Sequence, residues 1–300
     1  MKANRSRKAL AASLLCLVVS LAVAGPAFSQ ASSLLWKIEG NGLSEPSWLY
    51  GTQHLMCGED FIIPEDALER LKTSDGLVLE IDLSDPAIQQ QMMQLSQLPE
   101  GKRISESIDD DETRDEVEAF LTRHFGAGLE QFGGMHPIML MTMATTAVAE
   151  CEQAITSHDI HLMQEAMKLG TEIRALETVA FQFSLFDKIP LDHQVQELVS
   201  IVQDPAAERD QFRHMTELYR RQDISGLYRL ISEDEFMQAH NDLLIDERNR
   251  TWIPSMEEMS REKSMFYAVG AGHLPGGMGV INLLREAGYT LTPVSVEDPS

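Results

Sequence analysis

The segments "WLYGTQHL" (residues 48–55) and "FYAVGAGHL" (266–274) share one design. In each, an aromatic and apolar run meets a glycine, Gly51 or Gly270, and three residues later delivers a histidine, His54 or His273, followed by leucine. A glycine at the end of such a run lets the backbone leave a sheet with no Cβ in the way of a ligand. A third run, "GLVLEIDL" (76–83), turns polar at Glu80. Two imidazoles and a carboxylate are a common ligand set for a divalent metal that keeps positions open for water and substrate. A metal so held acidifies its water and polarises a carbonyl, and the natural outcome is hydrolysis. One G-x-x-H carries little information in a chain with nine histidines and 19 glycines; two copies, each closing an aromatic-apolar run, carry more. The alternative is that both imidazoles bond only to backbone or to acids at strand ends.

For such a site to exist, the three runs must be strands whose carboxyl ends lie together, the place where open α/β sheets bind ligands. The surrounding sequence predicts this. "LLWKIEG" and "SWLYGTQH" read as strands joined by the turn-forming "NGLSEP". "PEDALERLKTSDG" opens on Pro64 and acids and closes on Asp75 and Gly76, the start and stop signals of a helix, and it leads into the buried strand that ends at Glu80. Helices follow: a Gln- and Met-rich stretch from Asp85 to about Gln97, the acid-led "SESIDDDETRDEVEAFLTRHF", the Met-rich "HPIMLMTMATTAVAECEQA" and "HDIHLMQEAMKLG" closed by Gly170. The Met-rich segment suits a core or the lining of a groove, since Met fills irregular space. "TEIRALET" reads as a strand, residues 190–262 are helical by composition, and the chain closes as strand, glycine-rich turn, helix and strand. The expected fold is α/β (α+β): a central mixed β-sheet with surrounding helices, and a mostly helical section at about 85–262 between the strand motifs.

The first 29 residues have the order of a secretory signal peptide: Lys2, Arg5, Arg7 and Lys8, an apolar stretch from about Ala9 to Ala24, then Ala27-Phe28-Ser29. That stretch is shorter than the roughly 20 residues needed to span a bilayer, and no later stretch is long and apolar enough. The expectation is therefore a single domain over 30–300 that lies outside the cytoplasm, periplasmic or secreted, after cleavage of the signal peptide, with an uncleaved N-terminal anchor as the alternative. Four of the 24 Lys and Arg lie in the leader and none of the 47 Asp and Glu does, so the remainder is strongly acidic and repels phosphate backbones. Nucleic acid is excluded as a partner on that ground. Loss of the leader removes Cys16 and leaves Cys57 and Cys151, an even pair expected to be bridged in an oxidising compartment, with two separate buried thiols as the alternative. A bridge closing so long a loop is worth about 4 kcal/mol in the chain-entropy model.

The paired G-x-x-H motifs, the E-x-D after "LVL", the "LET" at 176–178, the Arg248-Asn249 pair and the terminal "VGAGHLPG…GVINLLREAGYTLTPV" resemble the TraB/GumN family. The resemblance runs from about Leu35 to Val294 and is most specific at its two ends. That family includes bacterial pheromone-shutdown and polysaccharide-cluster members and the animal Tiki proteins, which act as metal-dependent proteases. The resemblance implies a helix-surrounded sheet similar to that of erythromycin esterase and ChaN-like haem-binding proteins. It implies His54 and His273 as ligands of a divalent metal (Mn, Co or Zn), Glu80 as a further ligand or general base, and Glu177 and Arg248 beside the site, with Arg248 placed to stabilise an oxyanion. Gly51 and Gly270 would border it. The implied substrate is a peptide or a small molecule.

One departure stands out. Where relatives tend to have glycine, a small apolar residue and then Asp, this sequence has "HDIH" (158–161), which puts His161 at the acid's position and Asp159 two residues earlier. If that acid matters, the protein binds a different metal or has lost activity. Two rival functions stand beside the hydrolase: a non-catalytic envelope protein that captures haem or a small hydrophobic ligand through the Met-rich helix and the same histidines, and a regulatory protein with a vestigial site, favoured if "HDIH" abolishes metal binding. His158 and His161, three apart on one helix face, are expected to be exposed, with the alternative that the pair supplies imidazoles and His161 neighbours the site, and His136 is expected to be a turn or core histidine. "GHLPGGMG" lacks the Lys-Ser/Thr of a P-loop, and the sequence has no G-x-S-x-G nucleophile elbow.

Overall fold

The computed structural model describes residues 32–295, so the expected signal peptide lies outside the described residues. Six strands form one sheet: β1 (Leu35–Gly40), β2 (Ser47–Thr52), β3 (Gly76–Leu79), β4 (Glu172–Ala175), β5 (Met265–Gly270) and β6 (Tyr289–Val294), in the order β4-β3-β5-β2-β1-β6. The four strands β4, β3, β5 and β2 are parallel. β1 runs antiparallel to β2 on one side and to β6 on the other. The fold is thus α/β with a mixed sheet.

Helix α1 (Glu65–Thr73) joins β2 to β3. Between β3 and β4 run α2 (Pro86–Leu95), α3 (Asp111–Phe125), α4 (Leu129–Phe132), α5 (Pro137–Val148) and α6 (His158–Leu169). Between β4 and β5 run α7 (Val179–Phe186), α8 (Leu191–Gln203), α9 (Pro205–Arg220), α10 (Ile224–Glu233), α11 (Glu235–Asn241) and α12 (Glu247–Glu262), the last entered through the π-helical turn Asp242–Asp246. Helix α13 (Val280–Glu286) joins β5 to β6. Part of the acidic composition is used to start these helices. Asp85, Asp110, Asp204, Asp223 and Asp234 each accept a hydrogen bond from a backbone N–H of the first turn, where a negative charge also suits the helix dipole.

Every residue of β2, β3 and β5 is buried, and strands covered on both faces carry unbroken apolar runs instead of alternation. β1 and β2 meet at a tight turn in which Gly40, Asn41 and Gly42 all have positive φ, a conformation that glycine and asparagine tolerate best. The sheet packs in one core with apolar residues of α1, α6, α12 and α13, among them Leu71, Leu162, Trp252 and Ile281. A second core lies wholly within the helical section, where Val117 and Leu121 of α3, Leu140 and Ala144 of α5, and Val195 and Leu198 of α8 meet. The Met-rich segment serves both ends: Leu140 and Ala144 are core, while Met141 faces a cavity described below.

Cys57 and Cys151 form a disulfide with Cα atoms 5.3 Å apart, tying the exit of β2 to the segment between α5 and α6. Among the described residues no helix is long and apolar enough to cross a membrane.

Candidate active site

The parallel register brings three strand ends level. Thr52 of β2 lies opposite Gly270 of β5, and Leu79 of β3 lies opposite Ala268. The next residues therefore share one edge of the sheet: His54 beyond β2, Glu80 beyond β3, and His273 at the end of a short 3₁₀ turn (Ala271–His273) beyond β5.

Glu80 stands at the centre. Its Oε1 accepts the Gly270 N–H at 2.8 Å and lies 3.7 Å from His54 Nε2 and 3.9 Å from His273 Nε2. Its Oε2 accepts from Arg248 Nη2 at 2.5 Å and from Gln182 Nε2 at 3.3 Å. Burial alone would push this carboxyl up. Arg248 first, then His54, His273 and the Gly270 amide, more than reverse that and hold it far below the usual carboxylate range. The strand pairing also carries Glu177 to the site, because the β3–β4 ladder continues one step further: Leu176 N–H donates to Leu79 C=O and Glu177 N–H to Glu80 C=O, both at 2.9 Å.

Arg248, near the start of α12, ties the acids together. Nε donates to the two Glu177 oxygens at 2.9 and 3.2 Å, and Nη2 reaches Glu177 Oε2 at 3.1 Å as well as Glu80. Nη1 donates to Leu244 C=O and to His273 Nε2, each at 3.2 Å. A guanidinium has five N–H groups, and all five have partners here. Trp252 Nε1 adds a bond to Glu177 Oε1 at 2.6 Å, and the Arg248 guanidinium sits 5.1 Å from the centre of the Trp252 ring.

Both histidine rings are held in defined orientations. Asn249 donates through Nδ2 to the carbonyls of His273 and Met278, so its Oδ1 is the acceptor facing His273 Nδ1 at 2.7 Å. The His273 proton is thereby assigned to Nδ1, which leaves an Nε2 lone pair to accept from Arg248. Burial, together with Arg248, pushes His273 down to about 3, so the ring is neutral. His54 Nδ1 lies 2.7 Å from Asp159 Oδ2, and Asp159 also accepts from Thr52 Oγ1 and Ser157 Oγ. The Asp159 charge pushes His54 up to about 9, although 57% of the His54 side chain is exposed and water screens part of that effect.

These residues supply donors of the types that a divalent cation takes. Each imidazole has Nδ1 pinned by an oxygen acceptor and Nε2 turned toward the same carboxylate oxygen, the arrangement by which metal-binding histidines are oriented. The donor types suit Mn, Co or Zn without choosing among them. One feature competes: Arg248 Nη1 already bonds His273 Nε2, and that bond must open for the ring to ligate a metal.

The two motif glycines do different things. A Cβ on Gly270 would lie 3.0 Å from His54 Nε2 and 3.4 Å from Glu80 Oε1, inside the site. A Cβ on Gly51 would instead press on Ala271 and Leu274 at 3.1 Å, so Gly51 lets the turn after β5 pack closely against β2.

The "HDIH" segment meets the site through its acid, since Asp159 reaches His54. His161 takes no part in this cluster; its ring packs 4.5 Å from that of Phe61. His158 is fully buried, with its two ring nitrogens bonded to the carbonyls of Gln53 and Ile62, where an exposed side chain was expected. Both differences have one cause: α6 packs against the exit of β2, so its first turn faces inward. His136 is buried and accepts at the start of α5 from Ile138 N–H. Among the described residues, the three donors that lie within 4.8 Å of one another are those of Cys57, Glu59 and Cys151, but the two sulfurs are joined and Glu59 is engaged by the Glu152 and Gln153 amides.

Sequence reasoning assigned no role to Thr52, Gln182 or Trp252, and named Asn249 and Asp159 without seeing what they hold. Asn249 had a signal, its place beside Arg248. The others are brought in by tertiary packing alone.

A cavity of about 470 Å³ opens from His54, Arg248, Gly270 and His273 into the helical section. Its walls are mostly apolar, with Met141 of α5, Met215 of α9, Leu230 of α10 and Phe236 of α11 among them.

A sequence model of the TraB/PrgY/gumN family matches residues 34–293. The chain is similar to a protein named Metalloprotease TIKI2 from Danio rerio, 23% identical over 328 residues that cover 89% of this chain and 62% of that protein. It is 25% identical to Metalloprotease TIKI1 from Xenopus tropicalis over 320 residues, 87% of this chain and 61% of that protein. With Metalloprotease TIKI1 from Homo sapiens it shares 22% over 323 residues, 88% and 62% of the two chains. The chain thus spans about three fifths of the length of these curated relatives. No solved structure matches it.

Proposed function

The chain belongs to the TraB/PrgY/gumN family, and from that premise we propose that it is a metal-dependent hydrolase of peptide bonds that works outside the cytoplasm, periplasmic or secreted. The observation that carries this reading is the convergence of His54 Nε2 and His273 Nε2 on Glu80 Oε1, with Asp159 and Asn249 fixing the two rings from behind. The relatives named metalloproteases support the same chemistry, and the Cys57–Cys151 bridge supports an oxidising compartment.

In this reading His54, His273 and Glu80 hold one divalent ion, which when bound supplies a charge that acidifies water and polarises a carbonyl. Glu80 acts as a ligand more than as a general base, because a carboxyl held so far below the ordinary range takes up a proton poorly at neutral pH. Arg248 keeps Glu80 ionised and aligned. Its Nη1–H, now on His273, becomes available to a developing oxyanion only when His273 turns its lone pair elsewhere. Asp159 orients His54 and raises its basicity. The apolar cavity beside these groups receives the substrate and excludes water from it.

The rival readings gain less support. His273 is 4% exposed and packed 4.5 Å from the Trp252 ring, which disfavours axial ligation of a macrocycle. The vestigial-site reading rested on the displaced acid of "HDIH", and Asp159 reaches His54 from there. The test is hydrolysis of a mixed peptide library by the purified protein, after chelation and after return of Mn, Co or Zn. Metal-restored cleavage is expected; cleavage indifferent to chelator, or none with any metal, would overturn the proposal.

A further inference from the structure

The cavity that opens beside His54 and Arg248 has an unusual charge distribution for an apolar space. Its lining includes three carboxylates from three elements, Glu197 of α8, Glu208 of α9 and Asp234 at the start of α11. Arg248 is the only Lys or Arg among the described lining residues, and it lies at the catalytic end with every N–H engaged. Glu208 accepts from Thr145 Oγ1 at 2.6 Å and Asp234 caps α11 through Met237 N–H at 2.8 Å. Glu197 has no hydrogen bond or ion pair among the described residues. Burial, with Asp234, Glu208 and Glu235 nearby, pushes it up to about 7, so these carboxylates repel one another with no protein cation between them.

The shape and lining of the space point to an occupant. The long apolar walls, with Met141, Met215, Leu227, Ile231 and Met237, suit aliphatic chain, and Met adapts to varied shapes.

We propose that this cavity is the specificity pocket of the site and takes an apolar peptide segment bearing a basic side chain, whose cation is received by Glu197, Glu208 and Asp234. The proposal rests on the hydrolase reading above, which it deepens by naming the substrate class. The apolar walls supply non-directional affinity, and the carboxylates supply selectivity, since a desolvated acid discriminates strongly between a cation and a neutral group of the same shape. Arg248 is committed to Glu80 and Glu177, so Glu197, Glu208 and Asp234 are the lining carboxylates without a Lys or Arg partner among the described residues and mark where the cation is received.

The test uses calorimetric binding of n-octylammonium and of 1-octanol, matched in length, to the full metal-free protein at pH 8, where both the amine and Glu197 are charged. The wild type is expected to bind the ammonium at least tenfold more tightly than the alcohol. In the double variant Glu197→Gln/Asp234→Asn that preference should fall at least fivefold while octanol affinity is unchanged, which shows the cavity intact; asparagine caps a helix as well as aspartate does. Equal affinities in the wild type, a preference that survives in the double variant, or no binding of either probe would overturn the proposal. Because this binding needs neither metal nor turnover, failure of the hydrolase reading would appear separately, as absent cleavage with the ammonium preference retained.

Discussion

Replacing Asp159 with asparagine removes the charge that makes His54 unusually basic, and its consequences can be worked from the geometry. The imidazole lies 2.7 Å from Asp159 and is pushed up to about 9, against an ordinary value near 6.5. A metal must displace the proton it finds on His54, so apparent affinity rises about tenfold per pH unit below that value and levels off above it. From pH 7 to pH 9 the gain is about 50-fold if the whole shift is realised and nearer tenfold once water at the half-exposed ring has screened it. In the asparagine variant the levelling-off moves to the ordinary histidine range, and affinity becomes flat over the same interval. The assay is a Co titration followed by absorbance at half-unit steps from pH 6 to 9, with the imidazole proton resonance of metal-free His54 as an independent readout. A slope that persists in the variant, or a flat wild type, would refute the argument. The same shift acts on folding. The folded value lies above the unfolded one, so the ion pair stabilises fully below about pH 6.5 and fades as pH rises through about 9. Undiminished, it would be worth about 3 kcal/mol; screened, about 1 kcal/mol, which the variant should lose at pH 6 and not above pH 9.

Other consequences follow from the same contacts. Gly270→Ala places a methyl 3.0 Å from His54 Nε2 at an ordinary φ of −50°, so melting should show less than about 1 kcal/mol of destabilisation while metal affinity falls at least tenfold. Arg248→Met leaves Glu80 and Glu177 buried without their cation, at a cost of about 3–5 kcal/mol by denaturant titration at pH 7. Glu80 is depressed in the folded protein, so its stabilisation is present above the ordinary carboxylate range and lost as pH falls; the gap between wild type and this variant should narrow below about pH 4. Cys57→Ser should cost about 4 kcal/mol for so long a loop, and reductant should move the wild type to the same midpoint.

Much of this arrangement was legible in the sequence because it lies on strands. The apolar runs before Gly51, Glu80 and Gly270 announce buried strands, and parallel pairing is enough to bring their ends together. What the sequence hid was contributed by helices whose orientation depends on packing. Asp159 could be assigned to His54 only once α6 was seen to lie against the exit of β2, and no local pattern says which of "HDIH" faces inward. Trp252 reads as a core residue of α12, which it is, and its N–H to Glu177 follows from the helix's position and not from its periodicity. The five engaged N–H groups of Arg248 were equally invisible, since its partners come from the exits of β3 and β4, the π-helical turn and the turn after β5. The acidic excess, read at first as a bar to nucleic acid, divides in the fold among helix caps, the site and the cavity wall.

The central claim is that His54, His273 and Glu80 hold one divalent ion. It is tested most directly by equilibrium dialysis of the purified protein against Mn, Co and Zn in turn, with bound metal measured for wild type, His54→Ala and His273→Ala. The account predicts about one equivalent of at least one metal in the wild type and its loss in both variants, whose melting should remain cooperative. Full metal content in both variants would contradict it.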